Sequence, residues 1–430
     1  MSITRLSIIG GRLIDPANGT DAITDLHIAD GRVLAHGNTP ENFNAQQTLD
    51  ASGYIVCPGL VDIAANLREP GFEHKASISS ETRAAVSGGI TTLVCPPDMS
   101  PVLDTPAVLD LIQRKADKAG RARVHALGAL TRGLEGEHLS DMMALKHAGV
   151  VGLSNARQPF KNTLVLRRAL EYAATHDMPV FLNAEDPDLA NAGVAHEGPV
   201  STRLGLPGIP EAAETASVAR DLVLIEEAGV NAHFGRLSTA KGVHMLGRAR
   251  HDGLQVSADV AIHQLYLTEV DLRDFNSQCH VRPPLRSERD RDGLRGALAS
   301  GVINVICSDH QPHEADAKLR PFGETEPGIS GLETLLPLVL RLADEGVLSL
   351  SDVLRCVTAN PADILGLPTG RLQPGALADI CIFDPDADWF VTAEGLRSRG
   401  HNTPFIGWEM QGRVKHTLVD GRLVYSDDHD

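Results

Sequence analysis

The chain has 430 residues and a formal net charge of −17 at pH 7, from 39 lysines and arginines against 56 aspartates and glutamates. This length accommodates one large domain with a substantial core and a second, smaller one. The acidic excess is spread along the sequence. It argues against a surface for nucleic acid or anionic membranes, and it favours solubility.

The sequence predicts a cytoplasmic protein. Its first ten residues, MSITRLSIIG, contain too short an apolar run for a signal peptide. No stretch approaches the roughly 20 apolar residues that span a bilayer. Several cysteines lie in apolar runs and none forms a CxxC pair, so we expect reduced core residues. The six cysteines are Cys57, Cys95, Cys279, Cys307, Cys356 and Cys381.

Residues 1–56 alternate short apolar runs with turn residues, which is typical of a small antiparallel unit. From about residue 57 the pattern changes to strands that alternate with helices. The predicted strands are 61–65, 91–95, 124–130, 150–153, 179–183, 232–237, 255–260 and 302–307. Predicted helices between them include 105–119, 163–176, 211–228 and 290–299.

Eight apolar strands that alternate with helices predict an α/β protein with a (β/α)8 barrel, whose site residues follow the carboxyl ends of the strands. After residue 361 the strand pattern returns, at 370–372, 379–383, 408–411, 414–419 and 422–425. We expect these strands to join the N-terminal ones in one discontinuous β domain. The predicted division is therefore 1–56 and 369–430 for the β domain and 57–368 for the barrel.

Many short motifs, in the same order, resemble those of the dihydroorotase family, cyclic amidohydrolases of pyrimidine synthesis. The first is PGLVD at 58–62, followed by REPG at 68–71. Others are LSTA at 237–240, PPLR at 283–286, SDHQPH at 308–313, GISGLET at 328–334 and NTPF at 402–405. The resemblance covers most of the chain and implies an amidohydrolase-type barrel.

The resemblance also implies where a pair of metal ions would bind, and there the chain departs from the family. The family has two histidines on strand 1, a bridging carboxylate on strand 4, a histidine each on strands 5 and 6, and an aspartate on strand 8. Here the six positions hold Ala64, Asn66, Asn155 (followed by Ala156), Asn183, Arg236 and Asp309.

One carboxylate cannot hold a catalytic zinc, which needs three or four good donors. Arg236 would also place a permanent positive charge at a position meant for a dication. Without a metal there is no ready hydroxide nucleophile near neutral pH. We therefore expect no metal cofactor and no catalytic residues. Asp309 more plausibly forms a hydrogen-bonded ion pair with Arg236, since both follow barrel strands at the same rim.

The substrate-binding positions implied by the resemblance are partly retained. Arg68 stands where the family binds the substrate carboxylate, and His313 stands where it has a pocket histidine. Asp98 replaces an asparagine of the family and would repel an anionic substrate, and Arg282 replaces another. These four residues are the predicted substrate- or anion-binding positions.

Three function classes remain open on the sequence. The first is a non-catalytic subunit, since the chain resembles inactive dihydroorotase-like proteins that support assembly of aspartate transcarbamoylase. The implied partner is its catalytic chain, in a homo- or hetero-oligomer without nucleic acid or membrane.

The second class is a zinc-dependent dihydroorotase, or a hydantoinase- or allantoinase-like enzyme. It would use Asp309, His310 and His313 at an atypical site, with Arg68 for substrate. The third is a sensor of small anions that uses Arg68, Arg236 or Arg282. We predict the first class.

Overall fold

The computed structural model describes residues 5–427, so Met1–Thr4 of the predicted start lie outside it. The chain begins with seven strands: β1 (Arg5–Ile9), β2 (Arg12–Asp15), β3 (Thr20–Ile23), β4 (Leu26–Ala29), β5 (Arg32–His36), β6 (Gln47–Asp50) and β7 (Ile55–Pro58). Four of them form a sheet in the order β5-β4-β1-β6, while β7, β2 and β3 belong to a second sheet. Turn residues such as Gly10, with a positive φ of 73°, connect these strands.

A (β/α)8 barrel follows, as predicted. Its eight strands are β8 (Leu60–Asp62), β9 (Ile90–Cys95), one strand in two parts, β10 (Arg123–Ala126) and β11 (Gly128–Ala129), then β12 (Leu153–Ser154), β13 (Val180–Asn183), β16 (Ala232–Gly235), β17 (Val256–Ala261) and β18 (Val305–Cys307). A short pair, β14 (Ala195–His196) and β15 (Gly208–Ile209), lies in a loop. The barrel strands pair in parallel, and a bridge between Ala65 and His310 joins the last strand to the first. Loops that follow the strands therefore meet at one barrel mouth.

The helices connect the strands and cover the barrel. They are α1 (Ile78–Ser87), α2 (Pro106–Ala119), α3 (Met142–Ala148), α4 (Thr163–Thr175), α5 (Pro187–Ala190), α6 (Pro199–Leu204), α7 (Glu211–Ala228), α8 (Ala240–His251), α9 (Glu288–Ala299), α10 (Leu335–Asp344), α11 (Leu350–Arg355) and α12 (Ala359–Leu365). Their apolar faces and the strands share one large core. Asn162 caps α4 by accepting from the amide of Val165, at 3.1 Å.

Both ends of the described chain meet in one six-stranded sheet, in the order β21-β20-β19-β7-β2-β3. Its C-terminal strands are β19 (Ile380–Phe390), β20 (Glu409–Val419) and β21 (Arg422–Ser426). Arg123 on β10 binds Asp379 at 3.1 Å and also contacts Asp420, so a guanidinium joins the barrel to this sheet.

Several predicted strands differ from the structure. Residues 370–372 form no strand, because the buried amide of Leu372 donates to the Asp15 carboxylate at 2.8 Å instead of a neighbouring strand. Residues 408–411 and 414–419 are joined in one strand, β20, whose pairing with β19 is irregular at Gly412. The predicted strand 124–130 is divided at Leu127 into β10 and β11.

The motif LSTA at 237–240 proves to be a structural anchor. Both carboxylate oxygens of the buried Glu214 accept from Ser238 and Thr239, through their amides at 3.0 and 2.9 Å and their hydroxyls at 2.5 and 2.6 Å. These bonds fix the start of α8 at the barrel mouth.

Glu214→Gln is therefore expected to lower the free energy of unfolding by about 2 kcal/mol, since one buried N–H would face an amide NH2. Chemical denaturation of both proteins measures this loss. A loss below about 0.5 kcal/mol would contradict the anchoring role.

Candidate functional site

The barrel mouth is narrow and charged. Its cavity of about 50 Å³ is far below the roughly 300–1,000 Å³ of typical small-molecule sites. Two arginines and three aspartates are among the lining residues: Arg157, Arg236, Asp98, Asp259 and Asp309. Because carboxylates outnumber guanidinium groups in this lining, the mouth provides no net positive charge to attract an anion.

Asp309 is bound by an arginine that the sequence analysis missed. Arg157 Nη2 donates to both carboxylate oxygens of Asp309, each at 2.9 Å. Arg236 Nε lies 3.7 Å from Asp309 Oδ1, which is an ion-pair distance beyond hydrogen-bond reach. The predicted hydrogen-bonded pair of Arg236 and Asp309 is therefore wrong. Arg157 is the third residue after β12, so its place near a barrel strand end was the available signal.

A backbone hydrogen bond fixes the position of Arg236, and nearby carboxylates stabilise its charged side chain. Its amide donates to Asp259 Oδ1 at 2.6 Å, while no group within residues 5–427 accepts from its buried Nε. Burial opposes the charged form, but Asp309 and Asp259 outweigh it and raise the pKa of Arg236. His233 Nε2 lies 2.9 Å from the other oxygen of Asp259. The strand 6 position is therefore firmly cationic.

These residues do not fit a pair of zinc ions. Within residues 5–427, no cluster of three or more His, Cys, Asp or Glu side chains could hold a metal. The oxygens of Asp309 already accept from Arg157, where a metal would need them at about 2.0–2.2 Å. Ala64 also lines the mouth and has no side-chain atom that can bind a metal. The side-chain nitrogen of Asn66 donates a hydrogen bond to Asp98 Oδ1 at 3.3 Å.

Two of the implied metal positions face away from this cavity. The Asn155 side chain accepts from Thr131 Oγ1 at 2.6 Å and donates to the carbonyl of Gln158 at 3.0 Å. Asn155 and Asn183 line a side cavity of about 100 Å³ instead. Asn155 therefore acts as a loop brace, with its amide satisfied on both sides.

The four predicted substrate- or anion-binding residues have protein partners of their own. Arg68 donates from Nε to the carbonyl of Pro312 at 3.0 Å, and its Nη2 lies 3.1 Å from His313 Nε2. Arg282 binds the Glu185 carboxylate at 2.9 Å. Asp98 accepts from Asn66, as described above. The structure thus brings Arg68 and His313 together, while Arg282 lies beside the separate side cavity.

His313 is flanked by two cations. Lys75 Nζ lies 3.2 Å from its Nδ1, and Arg68 lies at Nε2. Burial, followed by the charges of Arg68 and Lys75, lowers the pKa of His313 to about 2. An imidazole with this pKa is a poor general base near neutral pH.

We expect the His313 ring to remain neutral from pH 5 to 8, because its pKa of about 2 lies well below that range. NMR of ring-labelled protein, with His313→Asn to assign the signal, measures this directly. A titration step of the assigned signal near pH 6–7 would refute the cationic environment.

His310 is part of a buried brace. Its Nε2 donates to Glu81 Oε2 at 2.8 Å, and its Nδ1 accepts from the amide of Gly331 at 3.1 Å. Glu81 also accepts from Ser398 Oγ at 2.6 Å and from the amide of Arg399 at 3.1 Å. The motif SDHQPH thus ties the barrel mouth to helix α1 and to the loop at 397–399.

The backbone at the mouth keeps an unusual conformation. Positive φ values occur at Arg68 (62°), Ala156 (50°), Arg236 (56°) and Asp309 (46°), all at or after barrel strand ends. Such conformations cost roughly 1–3 kcal/mol each for residues with a Cβ and cluster at functional sites. The mouth therefore retains a site-like backbone around residues that cannot bind a metal pair.

Comparison with known proteins identifies the family. A profile described as dihydro-orotase-like matches residues 53–242, and an amidohydrolase family profile matches residues 329–425. A dihydroorotase-like protein of Pseudomonas putida is 50% identical over 98% of this chain and 99% of its own. The chain belongs to the dihydroorotase family. A relative from Syntrophotalea carbinolica, 42% identical over the same shares of the two chains, is named dihydroorotase.

Solved structures of this amidohydrolase fold agree with the barrel. The L-hydantoinase of Arthrobacter aurescens superimposes with a TM-score of 0.87, covering 98% of this chain and 96% of the other at 24% identity. At that identity the likeness concerns the fold alone. No helix within the described part of this dihydroorotase-family chain is long and apolar enough to cross a membrane.

Proposed function

We propose that this protein is a non-catalytic, cytoplasmic member of the dihydroorotase family that supports assembly or activity of aspartate transcarbamoylase by binding its catalytic chain. The observation that carries the non-catalytic part is the Arg157–Asp309 pair. The Arg157 guanidinium binds Asp309, which is the one carboxylate at the positions of the family's metal ligands. A metal-activated hydroxide therefore has no place to form.

The binding role is supported by what the chain retains. The barrel, the six-stranded sheet and the braces at Glu214 and Glu81 keep a rigid surface after the metal ligands are lost. Two relatives at 50% identity, from Pseudomonas putida and Pseudomonas aeruginosa, carry the name dihydroorotase-like protein. A chain that has lost its metal ligands but has kept its fold can still bind a partner, which favours a role in an assembly.

The first test measures zinc content and dihydroorotase turnover on the same purified protein, before and after incubation with zinc. We expect less than about 0.1 zinc per chain, because only one of the usual three or four donors remains. Turnover is expected at the level of a blank, with an active dihydroorotase as the positive control. Stoichiometric zinc with turnover would favour the alternative, a zinc-dependent dihydroorotase or related cyclic amidohydrolase.

The second test addresses the partner. The chain is co-expressed with the aspartate transcarbamoylase catalytic chain of the same genome and analysed by size-exclusion chromatography. Co-elution, and a catalytic chain that assembles only when this chain is present, are the expected results. If both proteins elute separately and the transcarbamoylase is fully active alone, the partner assignment fails while the non-catalytic assignment stands.

A further inference from the structure

A larger cavity lies away from the barrel mouth, between helices α1 and α10 and the hairpin of β19 and β20. Its volume of about 300 Å³ reaches the range typical of small-molecule sites, which the mouth does not. None of the residues discussed for the metal or substrate positions lines it. It is therefore a separate candidate site.

Three aromatic residues are among those that line this cavity: Trp389, Phe390 and Tyr425. Trp389 is fixed by a hydrogen bond from Nε1 to the carbonyl of Gly412 at 3.1 Å. Phe390, the next residue on β19, is 61% exposed and points to the opposite face of the strand, so Trp389 is the aromatic ring of this strand that faces the cavity. Aromatic faces of this kind stack on planar rings.

A carboxylate with remaining acceptor capacity lies in the same lining. Glu333 accepts from the amides of Arg397 and Ser398, at 2.7 and 3.0 Å, and from Ser87 Oγ at 3.4 Å. An ionised carboxylate offers about four acceptor positions, so one remains for a ligand N–H group. Burial raises the pKa of Glu333 to about 7, as expected for a carboxylate largely removed from water.

Guanidinium groups complete the lining. Arg413 is 49% exposed and donates from Nε and Nη2 to Asp427, at 3.2 and 2.9 Å. A guanidinium has five N–H donors, so these bonds leave donors for an acidic group of a ligand. The Arg397 guanidinium lies 5.5 Å from the centre of the Tyr425 ring. Aromatic, acceptor and cationic groups thus surround one space.

We propose that this cavity binds a planar heterocycle that carries ring N–H groups and an acidic substituent. The ring stacks on Trp389, and a ring N–H donates to Glu333. The acidic substituent accepts from Arg413. A carboxylate and a phosphate ester present the same oxygens to a guanidinium, so a free heterocyclic acid and a nucleotide share this chemistry. Orotate and uridine 5′-monophosphate are suitable probes for the two sources.

The experiment titrates the full-length protein with each probe by calorimetry and by tryptophan fluorescence. The chain has two tryptophans, and Trp389 is the one that lines the cavity. The other, Trp408, packs on Phe405 with ring centres 5.0 Å apart. We expect saturable binding of at least one probe with a change in fluorescence. Trp389→Phe removes that change.

Two variants test the contacts. Trp389→Ala removes the stacking ring and Arg413→Ala removes the rim guanidinium. Each is expected to weaken binding at least about tenfold, a difference of roughly 1.4 kcal/mol. Arg114→Ala, which changes an exposed arginine paired with Asp110 on α2, is the matched control and leaves binding unchanged. Circular dichroism confirms that each variant is folded.

The possible outcomes distinguish the two kinds of ligand from each other and from an empty site. Binding of orotate alone identifies a free heterocyclic acid, and binding of uridine 5′-monophosphate alone identifies a nucleotide; either supports the site. Absence of saturable binding of both probes at millimolar concentration would overturn it. So would binding that is unchanged in Trp389→Ala and Arg413→Ala. These results do not depend on the assay for the aspartate transcarbamoylase complex.

Discussion

Arg157→Ala is expected to lower the free energy of unfolding by about 3 kcal/mol, because it leaves the buried Asp309 carboxylate with one neutral hydrogen-bond donor, Gln311 Nε2 at 3.3 Å. The Asp309 side chain is 7% exposed and that of Arg157 is 21% exposed, so solvent screens this pair only weakly. Arg236, at 3.7 Å, compensates part of the charge and keeps the loss below the largest values seen for buried pairs. Urea unfolding at neutral pH measures the change.

A double-mutant cycle separates the pair from other effects of the substitution. Arg157→Ala with Asp309→Asn should be more stable than the sum of the two single losses predicts, by at least about 1 kcal/mol. Arg114→Ala, at an exposed pair, serves as the control and should cost at most about 0.5 kcal/mol. Additive losses at Arg157 and Asp309 would mean that the two side chains do not depend on each other.

Glu81→Ala should cause the larger loss, about 4 kcal/mol, since it removes one partner of a fully buried pair. Glu81 and His310 are both 0% exposed in their side chains. The substitution also leaves the Ser398 hydroxyl and the Arg399 amide without their acceptor. Thermal and denaturant unfolding of the variant give this loss, and Glu81→Gln, which keeps one carbonyl oxygen, should cost less.

The same carboxylate gives a pH dependence with a definite sign. Burial opposes ionisation of Glu81, but hydrogen bonds from His310, Ser398 and Ser80 outweigh it and lower its pKa. Its contribution to stability is therefore present above the unfolded pKa of about 4.3 and is lost as the pH falls through the folded value. The stability difference between the protein and Glu81→Gln should shrink below about pH 4. A difference that is constant from pH 7 to pH 3 would show that folding does not lower the pKa of this carboxylate.

The fold was largely predictable because its determinants are periodic. Helix α7 begins and ends where the sequence predicts, at Glu211 and Ala228, since a helix needs only a local pattern of apolar residues. The strand predicted at 370–372 failed for a non-local reason. The amide of Leu372 finds its acceptor in Asp15, more than 350 residues earlier in the chain.

The candidate site was predictable in composition but not in pairing. The amino-acid sequence alone shows that the metal ligands are substituted, and Asn66, Arg236 and Asp309 were identified on that basis. The choice of Arg157 over Arg236 as the partner of Asp309 depends on side-chain direction after a strand end, which a single sequence does not encode locally. The cavity beside Trp389 was missed because its lining comes from three distant parts of the chain.

The order of strands in the six-stranded sheet has a consequence for synthesis on the ribosome. Strand β7 ends at Pro58 and its neighbour β19 begins at Ile380, so about 320 residues are made between the two. At roughly 5–20 residues per second this takes about 16–64 s. During that interval the edge of β7 that faces β19 has no strand to pair with. The nascent chain is therefore expected to depend on chaperones until its last strands emerge.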